Sequence, residues 1–268
     1  MNIINNLFSL DNKVVIVAGG AGQIGIELCK VLVDMGATVI VADIDAEMAR
    51  EKIKSLNNQD KYIIKNLDVS KEKNVIDFYK DLSNNDIYGL INCFHYKGNS
   101  RKLDTDSNFF SSLENYPIEA WDKVHNVNLK GTFLMIKHAI PIFKKNNKGV
   151  IVNISSTYGV VSPNKDIYGD SGINSPVAYA SSKSAILNLT RYVATHYAEY
   201  NIRCNTLTPG GVYNNQSQEF IENYQSRVPL NKMANATDYQ GAIAFLISNA
   251  SNYMTGSNLI VDGGWCSW

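Results

Sequence analysis

The residues of this chain best suited to chemistry are a tyrosine and a lysine four positions apart, in the segment Tyr179-Ala-Ser-Ser-Lys183. Residues with this spacing lie on one face of a helix, so the phenol and the ammonium group would be neighbours. A free tyrosine has a pKa of about 10, which is too high for efficient proton exchange at neutral pH. We expect the nearby cation to stabilise the phenolate and lower that pKa. Tyr179 could then exchange a proton with the oxygen of a carbonyl or an alcohol.

A second candidate site is the glycine-rich segment AGGAGQIG at residues 18–25, between a predicted strand and a predicted helix. Gly19 and Gly25 would let the backbone turn sharply and approach a pyrophosphate, and the helix N-terminus would supply N–H groups. Such a cluster is also compatible with a plain tight turn. Its position between a strand and a helix favours dinucleotide binding.

Asp43 stands at the end of the second predicted strand. An acidic group there would accept hydrogen bonds from ribose hydroxyls and repel a 2′-phosphate. The glycine turn contains no Lys or Arg, and we take Arg50 as the only basic residue soon after Asp43. These features favour NAD(H) over NADP(H). The alternative is that Asp43 only caps the helix that begins near Asp45.

The segments that must position these residues alternate between strand-length apolar runs and amphipathic stretches of helix length. This alternation predicts one α/β domain over residues 1–268, with a parallel sheet covered by helices on both faces. The longest predicted helices are Pro117–Lys145 and Val177–Glu199, and the irregular stretches 96–116 and 157–176 are long enough to suggest a functional role. The predicted strands are Val14–Ala18, Thr38–Ala42, Tyr62–Asn66, Tyr88–Cys93, Val150–Ser155, Ile202–Leu207 and Leu259–Val261.

The composition excludes several classes of function. Of the 268 residues, 25 are Lys or Arg and 25 are Asp or Glu, so no net charge attracts nucleic acid or an anionic membrane. The four cysteines form no CxxC pair, which argues against a metal site or disulfides and favours a reducing, cytoplasmic compartment. No apolar run approaches the roughly 18 residues of a membrane span. The N-terminal segment runs straight into a strand and does not resemble a signal peptide.

Motifs spread over nearly the whole chain resemble those of the short-chain dehydrogenase/reductase family. Besides the glycine turn and YASSK at 179–183, they are LDVS at 67–70, NVNLKGTF at 126–133, IVNISS at 151–156, RCNTLTPGG at 203–211 and VDGGW at 261–265. Their order and separations together make the signature specific. The resemblance implies a nicotinamide-dependent oxidoreductase with a Rossmann-type, doubly wound sheet of about seven parallel strands.

The resemblance also implies a catalytic tetrad. Tyr179 would be the acid/base, Lys183 would tune it and hold the nicotinamide ribose, and Ser156 would bind the substrate oxygen. Asn128 would hold a water that links Lys183 to solvent. Taken alone, Ser156 could instead be a strand-end hydroxyl, and Asn128 a helix residue that bonds backbone.

The NAD-binding residues are implied in the same way. Asp68 and Val69 would contact the adenine, and the turn Pro209–Val212 would lie against the nicotinamide amide. The implied set is Gly19, Gln23, Ile24, Gly25, Asp43, Asp68, Val69, Asn92, Tyr179, Lys183, Pro209, Gly210 and Val212.

The chain departs from the family pattern without losing a tetrad residue. Ala18 stands where threonine is common, Gln23 where glycine is common, and Asn214 where a threonine often binds the carboxamide. Asn92-Cys-Phe-His95 replaces the usual NNAG, which puts the local packing and the shape of the nicotinamide pocket in doubt. We still expect catalysis.

The substrate class is indicated by two unusual segments. Ser156 and Tyr179 are further apart than is usual in the family, and a small substrate lobe is expected around residues 211–235, where Gly211–Val228 is rich in amides and tyrosine. Such groups suit a hydroxyl-rich ligand better than a steroid or an acyl chain. The inserted loop carries Tyr158, Asn164, Lys165, Asp166 and Tyr168, and possible phosphate contacts, unless simply solvated, are Lys165, Arg101, Lys102 and Arg227.

A narrower resemblance points to carbohydrates. SSTYGVVSP at 155–163, SPVAYA at 175–180 and PGGVYNNQ at 209–216 are similar to a bacterial subgroup of flagellin-glycosylation and legionaminic-acid pathways. The similarity implies a sugar, a sugar phosphate or a nucleotide sugar as substrate. The alternatives are a 3-oxoacyl or polyol reductase, which predicts a hydrophobic lobe and often NADP, and a non-catalytic NAD(H) sensor or scaffold, which would need no acid/base.

Assembly into a homotetramer is also expected from the family resemblance. The helices predicted at Pro117–Lys145 and Val177–Glu199 carry apolar residues on more than one face. Trp265 and Trp268 lie near the end of the chain, where they would be exposed unless packed on a neighbour. We expect no nucleic acid or membrane partner.

Overall fold

The computed structural model describes residues 2–83, 85–96, 108–171, 173 and 176–268. Within them, seven strands form one sheet in the order β3-β2-β1-β4-β5-β6-β7, and every neighbouring pair is parallel. The strands are β1 Val14–Ala18, β2 Thr38–Asp43, β3 Tyr62–Asn66, β4 Ile87–Asn92, β5 Gly149–Ile154, β6 Ile202–Pro209 and β7 Asn258–Val261. The predicted Rossmann-type fold is confirmed. The strand order reverses between β1 and β4, the point at which such sheets bind nucleotides.

Helices cover both faces of this sheet. They are α1 Ile3–Phe8, α2 Gln23–Asp34, α3 Ala46–Ile53, α4 Glu72–Asp81, α5 Ile118–His125, α6 Thr132–Asn146, α7 Val177–His196, α8 Gln218–Gln225 and α9 Gln240–Ile247. Leu28 of α2 and Ile243 of α9 belong to the core on one face, and Phe78 of α4, Phe143 of α6 and Val193 of α7 to the core on the other. No helix in the described part of the chain is long and apolar enough to cross a membrane.

The central strands consist largely of β-branched residues because both of their faces are covered. Val15, Ile16 and Val17 of β1 are fully buried, and β4 and β5 are buried along their whole length. A continuous apolar run is the pattern expected of such strands. The sequence therefore predicts the ends of these strands to within one or two residues.

The continuous helix predicted for Pro117–Lys145 is interrupted by a π-helical turn. α5 ends at His125, Asn126–Gly131 form the π-helical turn, and α6 begins at Thr132. The Thr132 hydroxyl donates a hydrogen bond to the Asn128 carbonyl at 2.7 Å. The prediction was wrong at this point because apolar periodicity indicates a helix but does not register a single widened turn.

The sequence predicts that the N-terminal segment runs straight into β1, but this segment first forms the short helix α1. The Asn2 side chain accepts a hydrogen bond from the Ile4 N–H at 3.2 Å and caps this helix. Its six residues are fewer than two turns, which is too short for a periodic pattern to be visible.

Candidate active site

The predicted site residues lie at the carboxyl edge of the sheet. Asp43 ends β2, Asn92 ends β4 and Pro209 ends β6, while Ser156 follows β5 and Tyr179 lies in the first turn of α7. In an open α/β sheet, ligands bind at this edge, next to the point where the strand order reverses.

Gly19 and Gly25 occupy positions that a side chain could not take without displacing the backbone. Gly19 has a φ of +81°, and a Cβ there would lie 2.6 Å from the backbone N of Phe94. A Cβ on Gly25 would run into the carbonyl oxygen of Gly19. The turn therefore packs tightly on itself and on the segment after β4, and it carries no side chain that blocks a close approach.

The helix that follows this turn offers unpaired N–H groups. α2 begins at Gln23 after Gly22, which provides no side-chain cap, and its first turn contains no acidic residue. The N–H groups of Gln23, Ile24 and Gly25 have no acceptor within the helix, and they carry its partial positive charge. This arrangement fits the pyrophosphate of a dinucleotide.

Asp43 binds the glycine turn and does not cap the next helix. Its Oδ2 accepts a hydrogen bond from the Ala21 N–H at 2.9 Å, and its Oδ1 accepts one from the Asp45 N–H at 3.0 Å. Helix α3 is capped by Asp45, whose Oδ1 accepts from the Met48 N–H at 2.9 Å. The alternative in which Asp43 only caps α3 is therefore wrong.

A lysine overlooked in the sequence also reaches the glycine turn. Lys52 on α3 donates from Nζ to the Ala21 carbonyl at 2.7 Å. Arg50, the basic residue considered in its place, pairs with Glu47 on the same helix. The sequence contains a signal for this contact. Lys52 follows the cap residue Asp45 by two helical turns and therefore lies on the same face of the helix.

The Asp68 carboxylate is held by its own loop. Ser70 donates to Oδ1 through its N–H at 3.0 Å and its hydroxyl at 2.6 Å, and Lys71 Nζ lies 3.2 Å from Oδ2. Partial burial would raise the pKa of Asp68, but the hydrogen bonds from Ser70 and Lys71 outweigh it and lower that pKa below its usual value. The neighbouring Val69 is buried against Gly131. Asp68 is thus an ionised acceptor in a fixed position.

Asn92 is the first of three buried polar side chains that are hydrogen-bonded in series, from β4 through β5 to α7. Its Nδ2 donates to Asn153 Oδ1 at 2.9 Å, and Asn153 donates in turn to the Thr190 hydroxyl at 2.9 Å. Asn92 is 2% exposed, and its Oδ1 has no hydrogen-bond partner among the described residues. A buried acceptor without a donor is costly, so a nucleotide that supplied a donor here would stabilise the site.

Three members of the implied tetrad meet at the start of α7. The Ser156 hydroxyl lies close enough to the Tyr179 phenol to affect its pKa, and Lys183 Nζ lies 5.8 Å from the centroid of the Tyr179 ring. Lys183 is 2% exposed and donates to the Ile154 carbonyl at 2.7 Å. The arrangement can present one phenol and one hydroxyl to the same substrate oxygen.

The prediction that Lys183 lowers the pKa of Tyr179 is wrong for this arrangement. Burial raises the pKa of Tyr179 to about 12, although the hydrogen bond with Ser156 opposes the increase. Burial also lowers the pKa of Lys183 to about 8. Burial therefore outweighs any stabilisation of the phenolate by the charge of the lysine in this arrangement. Tyr179 is consequently a neutral phenol, and hence a proton donor, at neutral pH.

Asn128 lies in the π-helical turn and is fully buried. Its Oδ1 accepts a hydrogen bond from the Tyr96 N–H at 2.7 Å, and its Nδ2 donates to the Ser182 hydroxyl at 3.2 Å. Ser182 donates in turn to the Tyr179 carbonyl at 2.8 Å. The side chain thus bonds backbone, as the alternative interpretation allowed, and it connects the segment after β4 to the helix that carries the tyrosine.

The turn after β6 is joined directly to the start of α2. Gln23 Nε2 donates to the Tyr213 carbonyl at 2.7 Å. The Gly210 N–H donates to the Val261 carbonyl at 2.9 Å, and the Tyr239 hydroxyl donates to the Gly210 carbonyl at 3.1 Å. The glycine turn and the turn after β6, which are both expected to contact the nucleotide, are therefore held together by hydrogen bonds within the protein.

The substrate lobe has an aromatic interior. Tyr224 of α8 stacks on Trp265, with ring centroids 4.5 Å apart, and its hydroxyl accepts a hydrogen bond from the Gly211 N–H at 2.6 Å. Trp265 is buried within its own chain, so the expectation that it needs a neighbour is wrong, whereas Trp268 is 79% exposed. The amide of Gln216 only closes the local loop, since it donates to the Val212 carbonyl at 2.9 Å.

The inserted loop brings tyrosines close to Tyr179. Burial, together with the neighbouring phenols of Tyr168, Tyr224 and Tyr179, raises the pKa of Tyr158 well above its ordinary value. The Tyr168 ring also packs on Phe220 of α8, with centroids 5.5 Å apart. The loop and the lobe therefore form one aromatic wall.

Two of the four suggested phosphate contacts can be located. Arg227 pairs with Asp166, with Nη2 and Oδ2 2.9 Å apart, and so connects the lobe to the inserted loop. Lys165 is exposed on the same loop. Arg101 and Lys102 lie outside the described residues.

The comparisons with known proteins agree with this geometry. The sequence model of the family described as enoyl-(acyl carrier protein) reductase matches residues 19–266. The crystal structure of a short chain dehydrogenase from Leptospira borgpetersenii with bound NAD+ is 33% identical, with a TM-score of 0.84 over 99% of this chain and 96% of that one. The chain belongs to the short-chain dehydrogenase/reductase family.

Two other members of the short-chain dehydrogenase/reductase family match over nearly their whole length. The post-translational flagellin modification protein A of Campylobacter coli is 30% identical, over 96% of this chain and 99% of that protein. The cyclopentanol dehydrogenase of Comamonas sp. is also 30% identical, over 96% of this chain and 98% of that protein. As a short-chain dehydrogenase/reductase, the protein is an oxidoreductase that requires a nicotinamide cofactor.

Proposed function

We propose that this short-chain dehydrogenase/reductase interconverts a secondary alcohol and a ketone on a hydroxyl-rich ligand, a sugar, sugar phosphate or nucleotide sugar, with NAD(H) as cofactor. The observation that carries the proposal is the convergence of Tyr179, Ser156 and Lys183 next to a turn that fits a dinucleotide.

The residues at the carboxyl edge suit the cofactor. The turn at Gly19–Gly25 would hold the pyrophosphate, Asp43 the adenosine ribose and Lys183 the nicotinamide ribose, while Asn92 offers its buried oxygen. A bound nicotinamide supplies the hydride that is exchanged with the substrate carbon. The preference for NAD(H) rests on the carboxylate of Asp43 and agrees with the NAD+ in the Leptospira structure. The remaining proposed contacts are Gln23, Ile24, Asp68, Val69, Tyr179, Pro209, Gly210 and Val212.

Proton transfer is assigned to Tyr179. Its phenol, kept neutral by burial, donates the proton to the carbonyl oxygen during reduction, and Ser156 hydrogen-bonds the same oxygen. In the oxidative direction Tyr179 takes the proton back, which is easier at higher pH. Asn128 acts through its contacts with Tyr96 and Ser182, which fix α7 relative to β4.

The substrate class is supported by the walls of the site. Tyr158 and Tyr168 combine flat apolar faces with hydroxyl groups, a combination that suits the alternating polar and apolar surface of a sugar ring. One relative is named for the post-translational modification of flagellin, which agrees with the motif resemblance noted above.

The proposal is tested by titrating the protein with NADH and NADPH by fluorescence and then assaying turnover of sugar phosphates and nucleotide sugars by absorbance of the reduced cofactor. We expect tighter NADH binding and turnover of at least one sugar. Tyr179→Phe should lower kcat about 10²- to 10⁴-fold, the usual contribution of an acid/base group, with NADH affinity nearly unchanged. NADH binding without turnover of any alcohol would instead support a sensor.

A further inference from the structure

Lys52 extends from α3 to the glycine turn, 31 residues earlier in the chain. Its Nζ donates to the Ala21 carbonyl at 2.7 Å, and the side chain is partly buried. A lysine ammonium is a compact positive charge with three N–H donors. The contact therefore places a cation against a turn that contains no Lys or Arg of its own.

The charge of Lys52 is not neutralised by its own helix. Arg50 pairs with Glu47 on α3. Lys54, at the end of the same helix, pairs with Glu51. Lys52 makes no ion pair within the described part of the chain. Water around the partly exposed ammonium weakens its field but does not cancel the charge, which therefore acts on a ligand at the glycine turn.

Lys52 and Asp43 bind the same residue of the turn. Lys52 binds the carbonyl of Ala21, and Asp43 Oδ2 accepts from the Ala21 N–H at 2.9 Å. Three bonds separate the N and O atoms of one residue, so the ammonium lies within about 10 Å of the carboxylate. The proposed function places the adenosine ribose at this carboxylate. A ribose bound there would lie near one negative and one positive charge.

We propose that Lys52 is a specificity-determining residue for the cofactor, whose charge attracts a 2′-phosphate and so limits the preference for NAD(H) that Asp43 creates. The proposal rests on the proposed function, because it takes Asp43 as the group that meets the adenosine ribose. NADH and NADPH carry the same pyrophosphate and differ only in the 2′-phosphate. A contribution of Lys52 to the turn or to the pyrophosphate changes both affinities alike, so the ratio of the two affinities isolates its effect on the 2′-phosphate.

The test is a fluorescence titration of Lys52→Met with NADH and NADPH at low ionic strength, where charges are least screened. The variant keeps an unbranched side chain but has no charge. Its Kd for NADPH should rise roughly 3- to 10-fold more than its Kd for NADH, the range expected of a charge at this separation from a phosphate. In about 1 M salt, where the Debye length is about 3 Å, this difference should largely disappear. Lys52→Arg keeps the charge and should keep the wild-type ratio within about twofold.

Lys54→Met is the matched control. It removes the same charge two residues further along, where the exposed Lys54 is already paired with Glu51, and it should leave the ratio unchanged. An equal loss of NADH and NADPH affinity in Lys52→Met would mean that Lys52 only supports the turn, and it would overturn the proposal. The same shift of the ratio in Lys54→Met would also overturn it, because the effect would then belong to the net charge of the protein.

The two proposals can fail separately, because the ratio is measured by binding. NADH binding without turnover of any sugar would count against the proposed function and leave the test of Lys52 intact. If the wild type binds NADPH too weakly to measure, Asp43→Asn and Asp43→Asn/Lys52→Met are compared. The double variant should bind NADPH roughly 3- to 10-fold more weakly than the single one. Equal NADPH affinity of these two variants would contradict the role of Lys52, and a wild type that binds neither dinucleotide would overturn both proposals.

Discussion

Burial changes the proton affinities of Lys183 and Tyr179 in opposite directions, because one group is charged when protonated and the other is charged when deprotonated. Among the described residues, the Lys183 ammonium donates one hydrogen bond, to the Ile154 carbonyl, so its buried charge is only partly compensated. Burial of the charged Lys183 side chain therefore destabilises the folded protein at neutral pH.

Lys183→Met should change the free energy of unfolding by an amount that depends on pH. Below about pH 8 both the folded and unfolded states hold a protonated lysine, and the cost of the buried charge is fully present. Between pH 8 and 10.5 the unfolded state binds more protons, so wild-type stability rises with pH. The lowering of the pKa from 10.5 to about 8 corresponds to about 3 kcal/mol.

Urea unfolding at a series of pH values measures this dependence. The stability of Lys183→Met relative to wild type should be greatest near pH 7 and should decrease by up to about 3 kcal/mol toward pH 11. The same substitution at the exposed Lys145 should show no such trend. A difference that stays constant with pH would mean that folding does not alter the protonation of Lys183.

Asp43→Asn should shift cofactor preference toward NADPH. The variant keeps an oxygen that can accept from the Ala21 N–H but removes the charge that would repel a 2′-phosphate. We expect the ratio of NADH to NADPH affinity to fall roughly tenfold, equivalent to about 1.4 kcal/mol. Asp45→Asn, which keeps the cap of α3, is the control and should leave the ratio unchanged in the fluorescence titration. An unchanged ratio in Asp43→Asn would mean that Asp43 only stabilises the glycine turn and does not select the cofactor.

At the scale of the elements, the site is built from places where a strand ends and a helix begins. The turn at Gly19–Gly25 is fixed by contacts between backbone atoms, and the π-helical turn Asn126–Gly131 places Asn128 where it can bond both Tyr96 and Ser182. Small changes of backbone in these two turns would therefore act directly on the cofactor region and on α7.

Gly25→Ala should weaken cofactor binding because its Cβ would run into the Gly19 carbonyl and force the turn to move. We expect NADH affinity to fall at least roughly tenfold and the free energy of unfolding by about 1–3 kcal/mol. Gly241→Ala on α9 is the control, since a Cβ there meets no atom within 4 Å. It should bind NADH normally and be up to about 1 kcal/mol more stable. Normal affinity in Gly25→Ala would argue against the turn as the pyrophosphate site.

The sequence predicts the elements well because their signals are local. Apolar runs such as Val14–Ala18 report burial on both faces, and Gly36 with a φ of +99° ends the segment that contains α2. Lys52 was overlooked and Trp265 was misinterpreted because their roles depend on partners that the fold brings near. These partners are Ala21 for Lys52 and Tyr224 for Trp265. The pKa of Tyr179 was misjudged for the same reason, since burial cannot be read from a spacing.

At the scale of the whole molecule, two helices that pack on the sheet also expose apolar groups. Phe133 of α6 is 47% exposed and Tyr192 of α7 is 55% exposed. Exposed apolar side chains of this size are compatible with a surface that binds another protein. We propose that they contribute to the homotetramer expected from the family resemblance.

Phe133→Arg should disrupt this assembly, because a buried guanidinium without a partner is unfavourable at a packed interface. Light scattering at micromolar concentration should give a tetramer for the wild type and smaller species for the variant. Tyr253→Arg, at a fully exposed position, should leave the mass unchanged. A monomeric wild type would contradict the proposal.

The stacking of Trp265 on Tyr224 joins two parts of the chain that are synthesised at different times. The strands and the glycine turn of the nucleotide site come from the first part of the chain to emerge, and domains begin to fold during synthesis. Tyr224 supports the turn after β6 through the Gly211 N–H, but it gains its own stacking partner only when Trp265 has been made. A nascent chain can thus form the first strands and the glycine turn while the aromatic wall of the substrate pocket still lacks Trp265.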